Sequence, residues 1–365
     1  MKLRLYIYAG LILLFGIATV WVVIRTLTSE SGEVGSAYSI PPGRYDAFLI
    51  TYFSSMVKPP QFPDVRNAQG PFPTFSPGTY EETRELLGVK FRIGIYAKEN
   101  KKFERTLAQS AVDDAFSRIA EIEEHTSLTR DDSDVSKINR EASIRPVPLS
   151  EDLYFVIQRC LEVSDRSSGA FDITSGPIRW LWENYGSQGE VPPAEKIVEA
   201  RALVGYRDVV LDSKKRTIRF KRKGMTIDLH DVICGFALDQ AAWILKRQGM
   251  TPAFLQAGDR YLMLDRAEGM PYVIGIPDGR GYLKYTFDVD RPAVVIKGAY
   301  KGIKIVGTTV LSDIINPHDG TSVGMVASCT VVGPDAMTSD ALATALCVMG
   351  GSKSLNFVNS FNPRE

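Results

Sequence analysis

Twenty consecutive residues without a charge, Leu5 to Ile24, are bracketed by Lys2 and Arg4 on one side and Arg25 on the other. At about 1.5 Å per residue, a helix of that length spans roughly 30 Å, the thickness of a bilayer's hydrocarbon core. A cleavable signal peptide has a shorter apolar region followed by a small-x-small site. Thr26-Leu27-Thr28-Ser29 offers no clear site, and no Cys follows for lipidation. Residues 1–28 therefore read as a membrane anchor, with a cleaved signal sequence as the alternative. Lys2 and Arg4 favour a cytoplasmic N-terminus, and Arg25 on the far side votes against it. The expected arrangement is a single anchor in the inner membrane with the body in the periplasm.

Residues 29–84 are rich in Pro, Gly, Ser and aromatics, including Pro41-Pro42-Gly43, Pro59-Pro60 and Pro71-Phe72-Pro73. That composition predicts an extended tether. The folded body is expected over 85–365. The whole chain is 44% apolar and 24% charged, with 43 basic and 43 acidic residues. This suffices for a substantial core and leaves no basic footprint for nucleic acid. Cys160, Cys234, Cys329 and Cys347 are far apart and lack CxxC spacing, so buried thiols are expected, although an oxidising compartment permits a disulfide.

Val89, Phe91, Ile93 and Ile95 alternate with polar neighbours and predict a half-buried strand. Apolar residues at helical spacing predict helices over Leu107 to Ile122, Leu153 to Val163, Gly235 to Gln248 and Asp335 to Met349. Strand-like runs occupy 209–211, 217–220, 226–229, 253–264, 272–276, 293–296, 303–311 and 328–332. Asp212-Ser213-Lys214-Lys215 reads as a hairpin turn. Strands and helices mix without a regular βαβ repeat, so the fold class is α+β.

Asp340 and Thr344, four residues apart in a run of helix composition, place two oxygens on one helix face. Hard cations such as Mg²⁺ take oxygen ligands of this kind, although an Asp near a helix start also serves as a cap. Four further segments accompany the pair. They are Ser133-Asp134-Val135-Ser136-Lys137-Ile138-Asn139, Gly169-Ala170-Phe171-Asp172-Ile173-Thr174, the run from Asp228 to Asp239, and Ser312-Asp313-Ile314-Ile315-Asn316-Pro317-His318-Asp319-Gly320.

In this order the segments resemble the ApbE-like family of FAD:protein FMN transferases, over about residues 87–350. The resemblance implies an enzyme that uses FAD and Mg²⁺, transfers FMN to a Thr or Ser of an acceptor protein, and releases AMP. It implies metal ligation by Asp340, Thr344 and a backbone oxygen at Asp231, just ahead of a helix whose N-terminus faces phosphate. It also implies flavin contacts at Leu87, Thr129, Ala170, Phe171, Asp172, Asp228, Cys234 and Ile314, with Asp313 in the position of the base.

The chain departs from the family pattern at several of these positions. Cys234 replaces a Lys, Asp313 replaces a His, and Thr129 replaces an aromatic. Ala257-Gly258-Asp259 stands for Gly-Gly-Asp, and Ile296-Lys297-Gly298 stands for Thr-Ser-Gly. Asp231 brings a carboxylate to the metal side, and His230 and His318 are candidate substitute bases. The alternative reading is a membrane-anchored, inactive flavin-binding or assembly protein of the same fold.

Overall fold

The computed structural model describes residues 49–54, 79–96, 103–265, 272–277, 282–287, 293–298, 304–306, 309–323 and 327–360. The expected anchor, 1–28, lies outside the described residues. Among the described residues, no helix is long and apolar enough to cross a membrane.

The chain begins with β1 (Leu49–Ser54), β2 (Thr79–Leu86), β3 (Val89–Tyr96), α1 (Arg105–Thr126), α2 (Asp134–Glu141), β4 (Val147–Pro148) and α3 (Glu151–Arg166). Next come α4 (Gly176–Ser187), α5 (Ala194–Arg201), β5 (Val209–Asp212), β6 (Thr217–Phe220), α6 (His230–Arg247), β7 (Ala253–Ala257) and β8 (Arg260–Leu264). The last part holds β9 (Tyr272–Pro277), β10 (Tyr282–Phe287), β11 (Ala293–Gly298), β12 (Lys304–Val306) and β13 (Thr309–Leu311). It closes with β14 (Ala327–Gly333), α7 (Ala336–Met349) and α8 (Gly351–Ser360).

Seven strands form one antiparallel sheet in the order β1-β14-β11-β8-β7-β3-β2. Successive side chains along a strand point to opposite faces, and the burial follows that rule. Phe91, Ile93, Leu262, Leu264 and Val295 belong to the main core, with α1, α6 and α7. Met263, Val294 and Val332 form a separate cluster. The side chain at 297, two residues after Val295, therefore belongs to the helix-covered face.

Helix α7 is buried from Ala336 through Cys347. It is small and apolar on every side, as an inner helix must be. Asp335 caps it, accepting a hydrogen bond from the Thr338 amide. Between β2 and β3, Leu87 (φ 52°) and Gly88 (φ 71°) make a two-residue turn with positive φ at both positions. The expected turn at Asp212 is present, with Oδ1 accepting from the Lys214 and Lys215 amides at 2.9 and 3.0 Å.

Three features differ from the sequence reading. Strand β1 and most of β2 come from the 29–84 stretch expected as tether, yet both pair into the sheet, so the folded body begins before residue 85. Residues 226–229 alternate like a strand but form no ladder. The Ile227 amide donates to Asn139 Oδ1 (2.8 Å), and the Asp228 amide donates to the Ile173 carbonyl (2.7 Å). Finally, α6 starts at His230 rather than Gly235.

Candidate active site

Asp340 and Thr344 sit four residues apart on α7, and Asp231 lies in the first turn of α6. The fold brings all three together, as the sequence predicts, with Lys297 of β11 at their centre. Its Nζ lies 2.8 Å from Asp231 Oδ1, 3.2 Å from Asp340 Oδ1 and 2.6 Å from Thr344 Oγ1. The Thr344 hydroxyl in turn donates to the Asp340 carbonyl at 3.1 Å. Burial disfavours the Lys297 ammonium, but Asp231 and Asp340 outweigh it and hold the pKa above the ordinary lysine value.

The outward carboxylate oxygens are taken as well. Arg260, at the start of β8, donates through Nε to Asp340 Oδ2, and Arg179 of α4 donates to Asp231 Oδ2. Burial pushes the Asp231 carboxyl up, yet Arg179 and Lys297 hold it well below the usual carboxylate range. Arg179 also donates to the Asp313 carbonyl at 2.8 Å. Its Nε lies 3.1 Å from Asp228 Oδ2, an ion pair without hydrogen-bond alignment. Arg179 thus fastens α4 to the segment before α6, to α6 itself and to the turn after β13.

Do these residues fit Mg²⁺? An ammonium has three donors, and Asp231 Oδ1, Asp340 Oδ1 and Thr344 Oγ1 use all of them. Magnesium demands near-octahedral oxygen coordination at about 2.0–2.1 Å, so it would have to displace Lys297. A divalent ion about 4 Å from the ammonium would meet a repulsion of about 8 kcal/mol at an effective dielectric constant of about 20. The remaining oxygens of both carboxylates face guanidinium groups. As folded, the set Asp231, Asp340 and Thr344 does not fit a divalent cation. The Asp231 contribution is also a side chain inside the first helical turn, rather than a backbone oxygen ahead of the helix.

Gly235 is likewise not at a phosphate-facing helix start but inside α6, where a Cβ would lie 2.8 Å from the backbone of Ala336 and Met337. Its role is the close approach of α6 to α7. Asp239, one turn further on, accepts the Ala336 and Met337 amides at 2.8 and 2.9 Å. Together they set the position of α7, and with it Asp340 and Thr344.

Asp228 accepts the His230 amide at 2.8 Å and so organises the start of α6. Asp172 uses both carboxylate oxygens within the chain. Oδ1 accepts from the Thr174 amide and hydroxyl (2.8 and 2.7 Å), and Oδ2 from the Tyr206 amide (3.0 Å). Burial raises its pKa, which those bonds partly offset. Ala170, Phe171 and Ile314 are buried. Cys234 is buried too, its thiol pushed up by desolvation, so it is a packing residue rather than a nucleophile. All four cysteines are free and buried.

The Leu87 amide donates to Glu123 Oε1 at 2.7 Å. Thr129 bonds Ser127 within the exposed loop after α1. Asp313, His230 and His318 present exposed side chains. Sequence reasoning missed Arg179, Arg260 and Lys297 as site residues. The available signal was a Lys in a helix-facing strand position where the family pattern has Ser.

A model of the ApbE family matches residues 87–364. The FAD:protein FMN transferase of Treponema pallidum (strain Nichols) is 26% identical over 302 residues, covering 77% of this chain and 82% of that protein. A protein of the same name from Escherichia coli (strain K12) is 26% identical over 242 residues, covering 64% and 69%. The crystal structure of the ApbE protein of Thermotoga maritima matches with a TM-score of 0.66 at 30% identity, over 78% of this chain and 91% of that one. The apo flavinyl transferase ApbE of Pseudomonas stutzeri, 23% identical, shares the fold with a TM-score of 0.67 over 79% and 90%. The expected α+β fold is thus the one observed, and the chain belongs to the ApbE family.

Proposed function

We propose that this chain is a FAD:protein FMN transferase. The observation that carries the reading is that relatives bearing that name align over most of the chain, while the ApbE family model spans the segments that build the Asp231, Asp340 and Thr344 cluster. In the reaction, a Thr or Ser hydroxyl of an acceptor protein attacks the phosphorus on the FMN side of the FAD pyrophosphate. The bond to the AMP phosphate breaks, AMP leaves, and the hydroxyl proton passes to a base.

Asp313 takes the base role. Its carbonyl is fixed by Arg179 while its carboxylate is exposed, so a rigid turn presents it to solvent and substrate. Leu87, Thr129, Ala170, Phe171, Asp228, Cys234 and Ile314 belong to the flavin side. Asp172 acts there through the loop it holds. Lys297, Arg179 and Arg260 are the cations paired with the carboxylate cluster, and no step is assigned to a divalent metal. Residues 1–28 anchor the chain in the inner membrane, which places the body and its acceptor in the periplasm. The uncharged run Leu5 to Ile24 supports that placement.

The test incubates the full chain in detergent with FAD and a Thr-bearing acceptor protein, following AMP and protein-bound flavin by chromatography. AMP and flavinylated acceptor are expected in equal amounts. Intact FAD that stays bound with no AMP released overturns the reading and leaves a non-catalytic flavin binder.

A further inference from the structure

We propose that Lys297 is a resident cation whose ammonium replaces a divalent metal between Asp231, Asp340 and Thr344, so that this site excludes Mg²⁺ and works without it. The inference deepens the transferase reading and rests on it for its catalytic half alone.

Three independent features carry it. The first is directionality: the three inward oxygens converge on one nitrogen at 2.8, 3.2 and 2.6 Å, matching the three donors of an ammonium. The second is anchorage. Lys297 stands on β11, hydrogen-bonded between β14 and β8, with α7 packed over β11 and β14. Strand register therefore points its side chain at Asp340 and Thr344, and the stem is buried, with 12% of the side chain exposed. The third is charge balance. Asp228, Asp231 and Asp340 face Lys297, Arg179 and Arg260, so three anions already meet three cations. A divalent ion added to that set has no uncompensated carboxylate to bind.

The sequence change fits the same picture. Lys297 occupies the Ser of the Thr-Ser-Gly pattern, while Cys234 occupies a Lys position on α6. Arg260, Asp340 and Lys297 all act electrostatically on Cys234, so the position that lost a cation lies within the field of those that supply them.

The test titrates Mn²⁺ into the full chain without FAD and follows free Mn²⁺ by electron paramagnetic resonance. The wild type is expected to bind no stoichiometric Mn²⁺. Lys297→Ala is expected to gain one site, at least about 100-fold tighter than any wild-type binding, and Lys297→Ala with Asp340→Asn to lose it again. Lys297→Ser serves if the Ala variant does not fold. A wild type that binds one Mn²⁺ in an Asp340-dependent way overturns the proposal. So does a folded Lys297 variant that gains no site. In parallel, FMN transfer by the wild type is expected to be equal in EDTA and in Mg²⁺, and a tenfold gain on adding Mg²⁺ overturns the proposal. If no AMP forms under either condition, the transferase reading fails while the Mn²⁺ result still decides the role of Lys297.

Discussion

Replacing Arg179 by Met tests the electrostatic framework of the site most directly. The Arg179 side chain is 8% exposed, and those of its two carboxylate partners, Asp228 and Asp231, are 7% and 17% exposed. Met keeps most of the apolar stem and deletes the charge. Asp231 retains Lys297 and Asp228 retains the His230 amide, so each carboxylate is left partly paired. Removing one partner of a buried pair costs about 3–5 kcal/mol. The Asp313 carbonyl also loses a charged donor, about 1–3 kcal/mol where that group stays dry. Burial of the Met thioether offsets part of this, giving a net loss of about 4 kcal/mol.

With a urea m-value of about 3 kcal/mol/M, that loss lowers the unfolding midpoint by about 1.3 M. Circular dichroism in urea measures it. Adding Asp228→Asn preserves the acceptor for the His230 amide and removes one orphaned charge. The double variant is therefore expected to recover about 1–2 kcal/mol, a coupling within the usual range for contacting residues. A midpoint shift below about 0.3 M in Arg179→Met, or no recovery in the double variant, refutes the reasoning.

Other expectations follow from the same geometry. Gly235→Ala places a methyl 2.8 Å from the backbone of α7, so overpacking of about 1–3 kcal/mol outweighs a helix-propensity gain of about 1 kcal/mol. Its melting temperature should fall, and a rise would show that α7 yields freely. Asp335 is buried beside Asp239 with Oδ2 unpartnered, and burial raises its folded pKa. A raised carboxyl pKa means the native state holds more protons, so stability falls as pH rises from the unfolded value, about 3.9, through the folded one. Asp335→Asn keeps the cap to Thr338 and removes that loss. It should match the wild type near pH 4 and melt higher at pH 7.5, and a lower melting point at pH 7.5 would contradict the sign. Asp313→Asn should lower kcat for FMN transfer by about 10²–10⁴-fold with FAD affinity unchanged, and unaltered turnover would remove Asp313 from the base role.

Much of the fold is legible in local patterns. The alternation of Phe91, Ile93 and Ile95 gives β3, and helical spacing gives α1 and α7, because burial on one face leaves a period in the sequence. Asp340 and Thr344 are readable as a pair because four residues make one helical turn. The cations that surround them are not. Lys297 and Arg260 meet Asp340 only through the adjacency of β11, β8 and α7, and Arg179 arrives from α4. No short-range spacing encodes those meetings. Residues 226–229 show the opposite error. Ile227 and Leu229 alternate with polar residues, yet the Ile227 backbone pairs with the Asn139 side chain of α2 and the Asp228 amide with the Ile173 carbonyl, so a strand pattern appears without a strand.

The position of α7 near the end of the chain has a consequence for biosynthesis. Lys297 and Arg260 are translated before the helix that carries Asp340 and Thr344, and at about 5–20 residues per second they wait several seconds for it. Until then, closing the core would bury Arg260 without its carboxylate and leave Lys297 with Asp231 alone, so the half-made body has an electrostatic reason to stay open. A chain truncated before Ala336 can never satisfy that condition. The same charges that shape the finished site thus make its last long buried helix a condition for closing the core.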